Sequence, residues 1–192
     1  MSDADQAGLI RAAQGGDSQA FSQLLESCYG SLYRFAYRWC GNKADAEDIT
    51  QQACIKLARS IGQFRFEAAF SSWLYRLVIN CAKDWYKSQN CHQHEAIDDW
   101  SEAADDLIEP ERAPDQTAEN RIYLQQLLRL LDQMAEGFKE TALLVHGEGL
   151  SHAEAAAILQ VKESTVSWRL HDIRKQLQLL QQQPDGGWEF SL

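Results

Sequence analysis

Apolar side chains in this chain return at steps of three and four, and β-branched residues never cluster in alternation. Phe21, Leu24, Leu25, Cys28, Leu32, Phe35 and Trp39 form one such series. Ala46, Ile49, Ala53 and Leu57 form a second, and Leu74, Leu77, Val78, Cys81 and Trp85 a third. Steps of three and four place residues on one side of an α-helix, whereas a half-buried strand needs steps of two. The pattern predicts three consecutive helices and no sheet. The first runs from an Asp17 cap to a Gly41 stop, the second from near Asp45 to Gly62, and the third from near Ser71.

A second helical block follows. Leu124, Leu127, Leu128, Leu131 and Met134 share one face, and Phe138 to His146 reads as an apolar helix stopped by Gly147 and Gly149. At 192 residues the chain can hold one ordinary domain or two small ones, and the segment between the blocks decides for two. Residues 88–118 carry one Lys or Arg against nine Asp or Glu, a net −8, and include Pro110 and Pro114. Such composition suits a solvated linker and not a packed element. Residues 1–87 carry +1 and residues 119–192 carry −3, so the net charge of −10 is concentrated in the middle. The expected organisation is all-α: a helical domain over 1–87, an acidic flexible linker over 88–118, a second helical domain over 119–183, and a tail over 184–192. The tail's Trp188, Phe190 and Leu192 are three spaced apolar residues, and whether they dock on either domain stays open.

The second domain ends in a specific pattern. Ser151-His152-Ala153-Glu154 is a capping box, in which hydroxyl and carboxylate each satisfy a backbone N–H at a helix start. The helix it opens is Ala-rich, so another can cross it closely. Leu159-Gln160-Val161 makes a short turn, and Val166, Leu170, Ile173, Leu177 and Leu180 mark the next helix. Lys162, at the expected N-cap of that helix, brings no side-chain acceptor. This is the form of a helix-turn-helix, whose second helix lies in the DNA major groove. Its outward positions, Ser164, Thr165, Ser167, Trp168, Arg169, His171, Asp172 and Lys175, include hydroxyls and cations able to reach base edges and phosphates. An ordinary α-hairpin in a bundle has the same outline.

In the first block, Trp73, Arg76, Asn80, Lys83 and Lys87 share a face roughly opposite the third apolar series. Just before them stand Phe64, Arg65 and Phe66. Cations that track phosphates beside aromatics that stack bases are what single-stranded nucleic acid requires. A solvated helix face fits the stripe equally well, and the two Phe residues also suit a core.

Other classes find less support. The five cysteines show no CxxC spacing and no even count, and the expectation is free thiols in a reducing compartment. Cys91, His92 and His94 lack a second ligand pair at metal-site spacing. No Gly-rich phosphate loop or nucleophile motif appears, so no catalytic residue, cofactor or metal is expected. Asp45, Glu47 and Asp48 have a ready explanation as acids in a helix's first turn. No apolar run approaches the roughly 20 residues of a membrane span, and the N-terminus has no signal-peptide character. A cytoplasmic protein without membrane insertion is expected.

Four segments together resemble one family. Asp45-Ala46-Glu47-Asp48-Ile49-Thr50-Gln51-Gln52 is similar to the start of the core-polymerase-binding helix of extracytoplasmic-function (ECF) sigma factors. Phe70-Ser71-Ser72-Trp73-Leu74-Tyr75-Arg76-Leu77-Val78-Ile79-Asn80 resembles their promoter-melting helix. Residues 148–156 and 164–170 resemble their C-terminal helix-turn-helix, and all four segments stand in the family's order.

The resemblance implies a sigma factor that binds core RNA polymerase and directs promoter-specific initiation. It implies that Asp45, Glu47, Asp48, Gln51, Gln52 and Ile55 dock on the β′ subunit, with β as a further contact. Phe64, Arg65 and Phe66, with Trp73, Arg76, Asn80, Lys83 and Lys87, would take a flipped base of the minus-ten element and hold the opened strand. Ser164, Thr165, Ser167, Trp168, Arg169, His171 and Lys175 would read the minus-thirty-five duplex. Promoter DNA and an anti-sigma factor are the other implied partners, with a monomer when free of them.

The chain departs from the family pattern at Gln52, Ala58, Ser167 and Trp168, so the family's promoter sequence does not carry over. A polymerase-independent helix-turn-helix regulator is the alternative, and polymerase dependence separates the two.

Overall fold

The computed structural model describes residues 3–92 and 127–181, and the chain divides into two compact units, Met1–Gln125 and Gln126–Leu192. All regular structure among the described residues is helical.

In the first unit, α1 (Asp3–Gln14), α2 (Ser18–Cys40), α3 (Lys43–Ser60) and α4 (Phe70–His92) pack around one core, with a 3₁₀ turn over Ile61–Gln63. Helix α2 is central and touches α1, α3 and α4. Its ends are set as expected: the Asp17 carboxylate accepts from the N–H groups of Gln19 and Ala20 at 2.9 and 3.1 Å. At the other end Gly41 takes the left-handed conformation, φ +79°, and its N–H reaches the Tyr37 carbonyl. The three apolar series supply the core. Leu24, Leu32 and Phe35 from α2, Ala46, Ile49, Ala53 and Leu57 from α3, and Val78 from α4 are essentially sealed from solvent. Burial of each larger one contributes about 1.5–3 kcal/mol.

Three details differ from expectation. Helix α1 was not anticipated, because only Ile10 and Ala13 of its residues enter the core, too few for a periodic signal. Helix α3 starts two residues before Asp45, since the Asn42 side chain caps it by accepting the Asp45 N–H at 2.9 Å. Helix α4 continues past Lys87 to His92, into the polar stretch expected to be linker. No Gly or Pro stands in that stretch to stop it, and the Ser88 hydroxyl bonds back to the Trp85 carbonyl. Trp85 itself is only half-buried. The remainder of the acidic segment, residues 182–192 with the expected tail over 184–192, and the side chains of Cys91, His92 and His94 lie outside what is described.

In the second unit, α5 covers residues 127–133, α6 spans Phe138–Ala142 and passes into a π-helical turn over Leu143–Gly147, and α7 (His152–Leu159) and α8 (Glu163–Gln181) follow. The expected single helix from Phe138 to His146 thus widens at its end, where the Glu148 N–H bonds the Leu143 carbonyl five residues back. Leu128, Leu131, Phe138, Leu144, Ala155, Ile158, Val166, Leu170 and Ile173 form this unit's core. Gln160 closes α7 in the left-handed conformation, φ +55°, and directs the chain into α8.

Candidate nucleic-acid interface

On α3 the four apolar positions are fully buried, which turns Glu47, Asp48, Gln51 and Gln52 outward. Ile55 stands on the same outward side and is 40% exposed. It borders a groove of about 430 Å³ between α3 and α4, with Gln52, Lys56, Arg59 and Trp85 among its lining. Lys56 and Asp84 face each other across it at 3.5 Å, an exposed pair of little energetic consequence. Asp45 stands apart from this set, because its carboxylate is bonded to the Asn42 amide at the helix cap.

The loop between α3 and α4 carries an aromatic cluster. Phe64 is buried, with ring centres 4.9 Å from Phe66, 5.3 Å from Phe70 and 5.6 Å from Trp73. Phe66, by contrast, is 39% exposed and has φ +59°, a left-handed conformation costing a non-glycine residue about 1–2 kcal/mol. Phe64 is thus a core residue that backs the loop, whereas Arg65 and Phe66 reach solvent. Along α4, Trp73, Arg76 and Lys83 are half-buried and Asn80 and Lys87 exposed, so the stripe leads away from the cluster along one face. The Arg76 Nε is buried with no hydrogen-bond partner among the described residues. A buried donor left unmatched is costly. Phe70 was missed as a member of the cluster, though its place in the melting-helix segment and its aromaticity were both visible in the sequence.

In the second unit, Ser164, Ser167, Trp168, His171 and Lys175 are exposed on α8, and Thr165 is half-buried. Positions 164, 168, 171 and 175 recur at four, three and four and share one face. Trp168 is 57% exposed, its ring held edge-on to Phe138 at 5.3 Å. Ser167 meets His152 of α7 at 3.0 Å, a bond between the two helices of the motif. Arg169, expected among the DNA-reaching side chains, turns inward. Its guanidinium donates to the Gly137 carbonyl at 3.2 Å and the Thr141 hydroxyl at 3.3 Å, tying α8 to α6. The missing side chain of Gly137, whose φ is +94°, makes this possible, because a Cβ there would lie 2.4 Å from the Arg169 guanidinium. Outward position along the helix did not reveal that a long side chain would fold back.

The thiols of Cys28, Cys54 and Cys81 are held in their protonated form by burial, Cys28 with its pKa pushed up to about 11. Cys28, Cys40, Cys54 and Cys81 are free cysteines. Among the described residues, no group of His, Cys, Asp and Glu could hold a metal, and no helix is long and apolar enough to cross a membrane.

Comparison with known proteins matches both units. Residues 24–91 fit the family model of Sigma-70 region 2, and residues 124–177 that of Sigma-70 region 4. The chain is 32% identical to the ECF RNA polymerase sigma factor SigM of Mycobacterium tuberculosis, over 89% of this chain and 82% of that one. It is also 32% identical to SigE of Mycolicibacterium smegmatis, over 84% of this chain but only 63% of the longer relative. Among solved structures, CnrH in complex with the cytosolic domain of CnrY superposes with a TM-score of 0.65 at 23% identity, covering 93% of this chain and 97% of that one. The sigma factor RpoE of Bartonella quintana, in complex with the anti-sigma factor NepR, gives 0.61 at 19% identity, covering 85% and 98%.

Proposed function

The chain belongs to the ECF sigma factors of bacterial RNA polymerase, and from that membership we propose how its residues share the work of initiation. A sigma factor lends promoter recognition to the core enzyme, which sets aside the polymerase-independent regulator. The observation that carries the division of labour is the pair of exposed surfaces on separate units, one aromatic and cationic beside a loop, the other on a helix-turn-helix.

Residues 1–87 bind core polymerase and the minus-ten element, and residues 119–183 read the minus-thirty-five duplex. The acidic 88–118 segment joins them through the polymerase's positively charged channels, and 184–192 is a tail. Glu47, Asp48, Gln51, Gln52 and Ile55 dock on β′, with Asp45 acting chiefly through the cap of α3. Phe66 stacks a flipped base over the Phe64 floor, which offsets the few kcal/mol that flipping costs. Arg65, Trp73, Arg76, Asn80, Lys83 and Lys87 hold the opened strand. Ser164, Thr165, Ser167, Trp168, His171 and Lys175 meet the duplex, while Arg169 sets the angle of α8.

The protein works by binding, in the cytoplasm with the polymerase, and without catalysis of its own. An anti-sigma partner like the one bound to the Bartonella protein would hold it inactive, and it is a monomer when free.

Run-off transcription with purified core polymerase on fragmented genomic DNA, with RNA 5′ ends sequenced, tests the assignment. New starts that depend on this protein and share two spaced upstream elements are expected. The absence of both new starts and association with core would refute it. On the promoters so found, Asn80→Ala is expected to slow strand opening, read by permanganate footprinting, more than it weakens initial binding. Equal losses at both steps would count against the assignment of α4.

A further inference from the structure

We propose that α1 is a working part of the minus-ten reader: Gln14 and Arg11 hold the loop between α3 and α4 in the shape that selects the flipped base. This rests on the assignment of that loop as the base pocket.

The Gln14 side-chain amide donates to the Ile61 carbonyl at 2.9 Å and to the Phe64 carbonyl at 2.8 Å, partners 47 and 50 residues away. A primary amide nitrogen has two hydrogens, and both are used. The carbonyls they reach belong to the first residue of the 3₁₀ turn and to the residue that ends it, and the Ile61 carbonyl also accepts the Phe64 N–H at 3.1 Å, so the amide ties both ends of the turn to α1. Arg11, one turn earlier on α1, sets its guanidinium carbon 4.9 Å from the centre of the Phe66 ring, a cation–π contact.

Phe66 is the loop residue in the left-handed conformation. An L-residue stays in such a conformation only where its surroundings over-determine it. Here Gln14 fixes the backbone two residues before it, Arg11 covers its ring, and Phe64 stands edge-on at 4.9 Å. Phe66 still stays 39% exposed, within reach of a base. Packing alone does not require either polar residue, because Ile10 and Ala13 already seat α1 in the core. Gln14 and Arg11 are accordingly positioning residues, which shape the pocket without being its walls.

The test uses the full chain with core polymerase on promoters found by 5′-end mapping, with each minus-ten base replaced in turn by the other three. Gln14→Glu keeps the shape of the side chain and removes its donors. It should cut the ratio between the preferred and the worst base at the flipped position about ten-fold, the worth of one to two ordinary hydrogen bonds. Arg11→Ala should cut it about three-fold and Arg11→Lys less, since lysine keeps a cation over the ring. Association with core and sensitivity to minus-thirty-five changes should stay as in the wild type.

A wild-type base profile in both Gln14→Glu and Arg11→Ala would overturn the proposal, as would a uniform loss of transcription with that profile unchanged. If circular dichroism shows Gln14→Glu unfolded, Arg11→Ala at its exposed position decides alone. A wild-type protein indifferent to every base there would instead refute the pocket assignment itself.

Discussion

Arg169 and Gly137 depend on each other. The arginine's inward bonds need the carbonyl that Gly137 presents, and the space they occupy is the space a Cβ would fill. Gly137→Ala should therefore cost about 2 kcal/mol or more: the left-handed backbone of a non-glycine residue, plus displacement of the guanidinium. In an Arg169→Ala background the same change should cost about 1 kcal/mol less, because only the backbone cost remains. Urea unfolding of the four proteins in a double-mutant cycle reads that coupling directly. Arg169→Ala should also weaken promoter binding through the set of α8. Additive costs within about 0.3 kcal/mol would show the two sites to be independent.

Among the elements, α7 shows how far local sequence reaches. Ser151 and Glu154 form the capping box foreseen from their spacing: the Ser151 N–H donates to the Glu154 carboxylate at 2.9 Å and its hydroxyl at 2.6 Å. Those two bonds hold the Glu154 carboxyl below its usual value near 4.5. A carboxyl lowered on folding stabilises the protein fully above its unfolded pKa, and that stabilisation disappears as pH falls through the lowered, folded value. Thermal unfolding of the second unit should thus lose midpoint below about pH 4.5. Glu154→Gln, which accepts the same bonds without titrating, should remove that part of the slope. An unchanged slope in the variant would locate the titration elsewhere.

The same locality explains what was legible and what was not. Helices α2, α3, α4, α7 and α8 announce themselves because each buries one face at helical spacing, and the side-chain caps of α2, α3 and α7 lie within three residues of the N–H groups they satisfy. Helix α1 offers two core residues and no period. The Gln14 bonds join residues about fifty apart, and the return of Arg169 to Gly137 spans 32. The left-handed Phe66 follows from such long-range contacts, and no turn residue in its neighbourhood foretells it. Family resemblance suggested where to look, but only the packing separates Phe64, which is buried, from Phe66, which is exposed.

Across the whole molecule, charge sets the terms of DNA binding. The net −10 is poor for a free duplex binder, and α8 offers Arg174 and Lys175 against Glu163 and Asp172. Few phosphate contacts mean a shallow salt dependence, with a slope near −0.9 for each contact made. The free protein should give no measurable duplex binding at physiological salt in a mobility-shift assay, while its complex with core polymerase binds the same fragment. Tight, specific binding by the free chain would reverse this expectation and show that the net charge does not limit the second unit.

The bonds from α1 to the loop bear on how promoter preference can be transplanted between related proteins. A graft that carries only residues 61–69 into another scaffold leaves behind the amide and the guanidinium that bend the insert. It should arrive with the right letters and the wrong posture. Moving residues 11–14 along with the loop makes the unit of exchange discontinuous in sequence but contiguous in space, and that larger unit is the one that swaps cleanly.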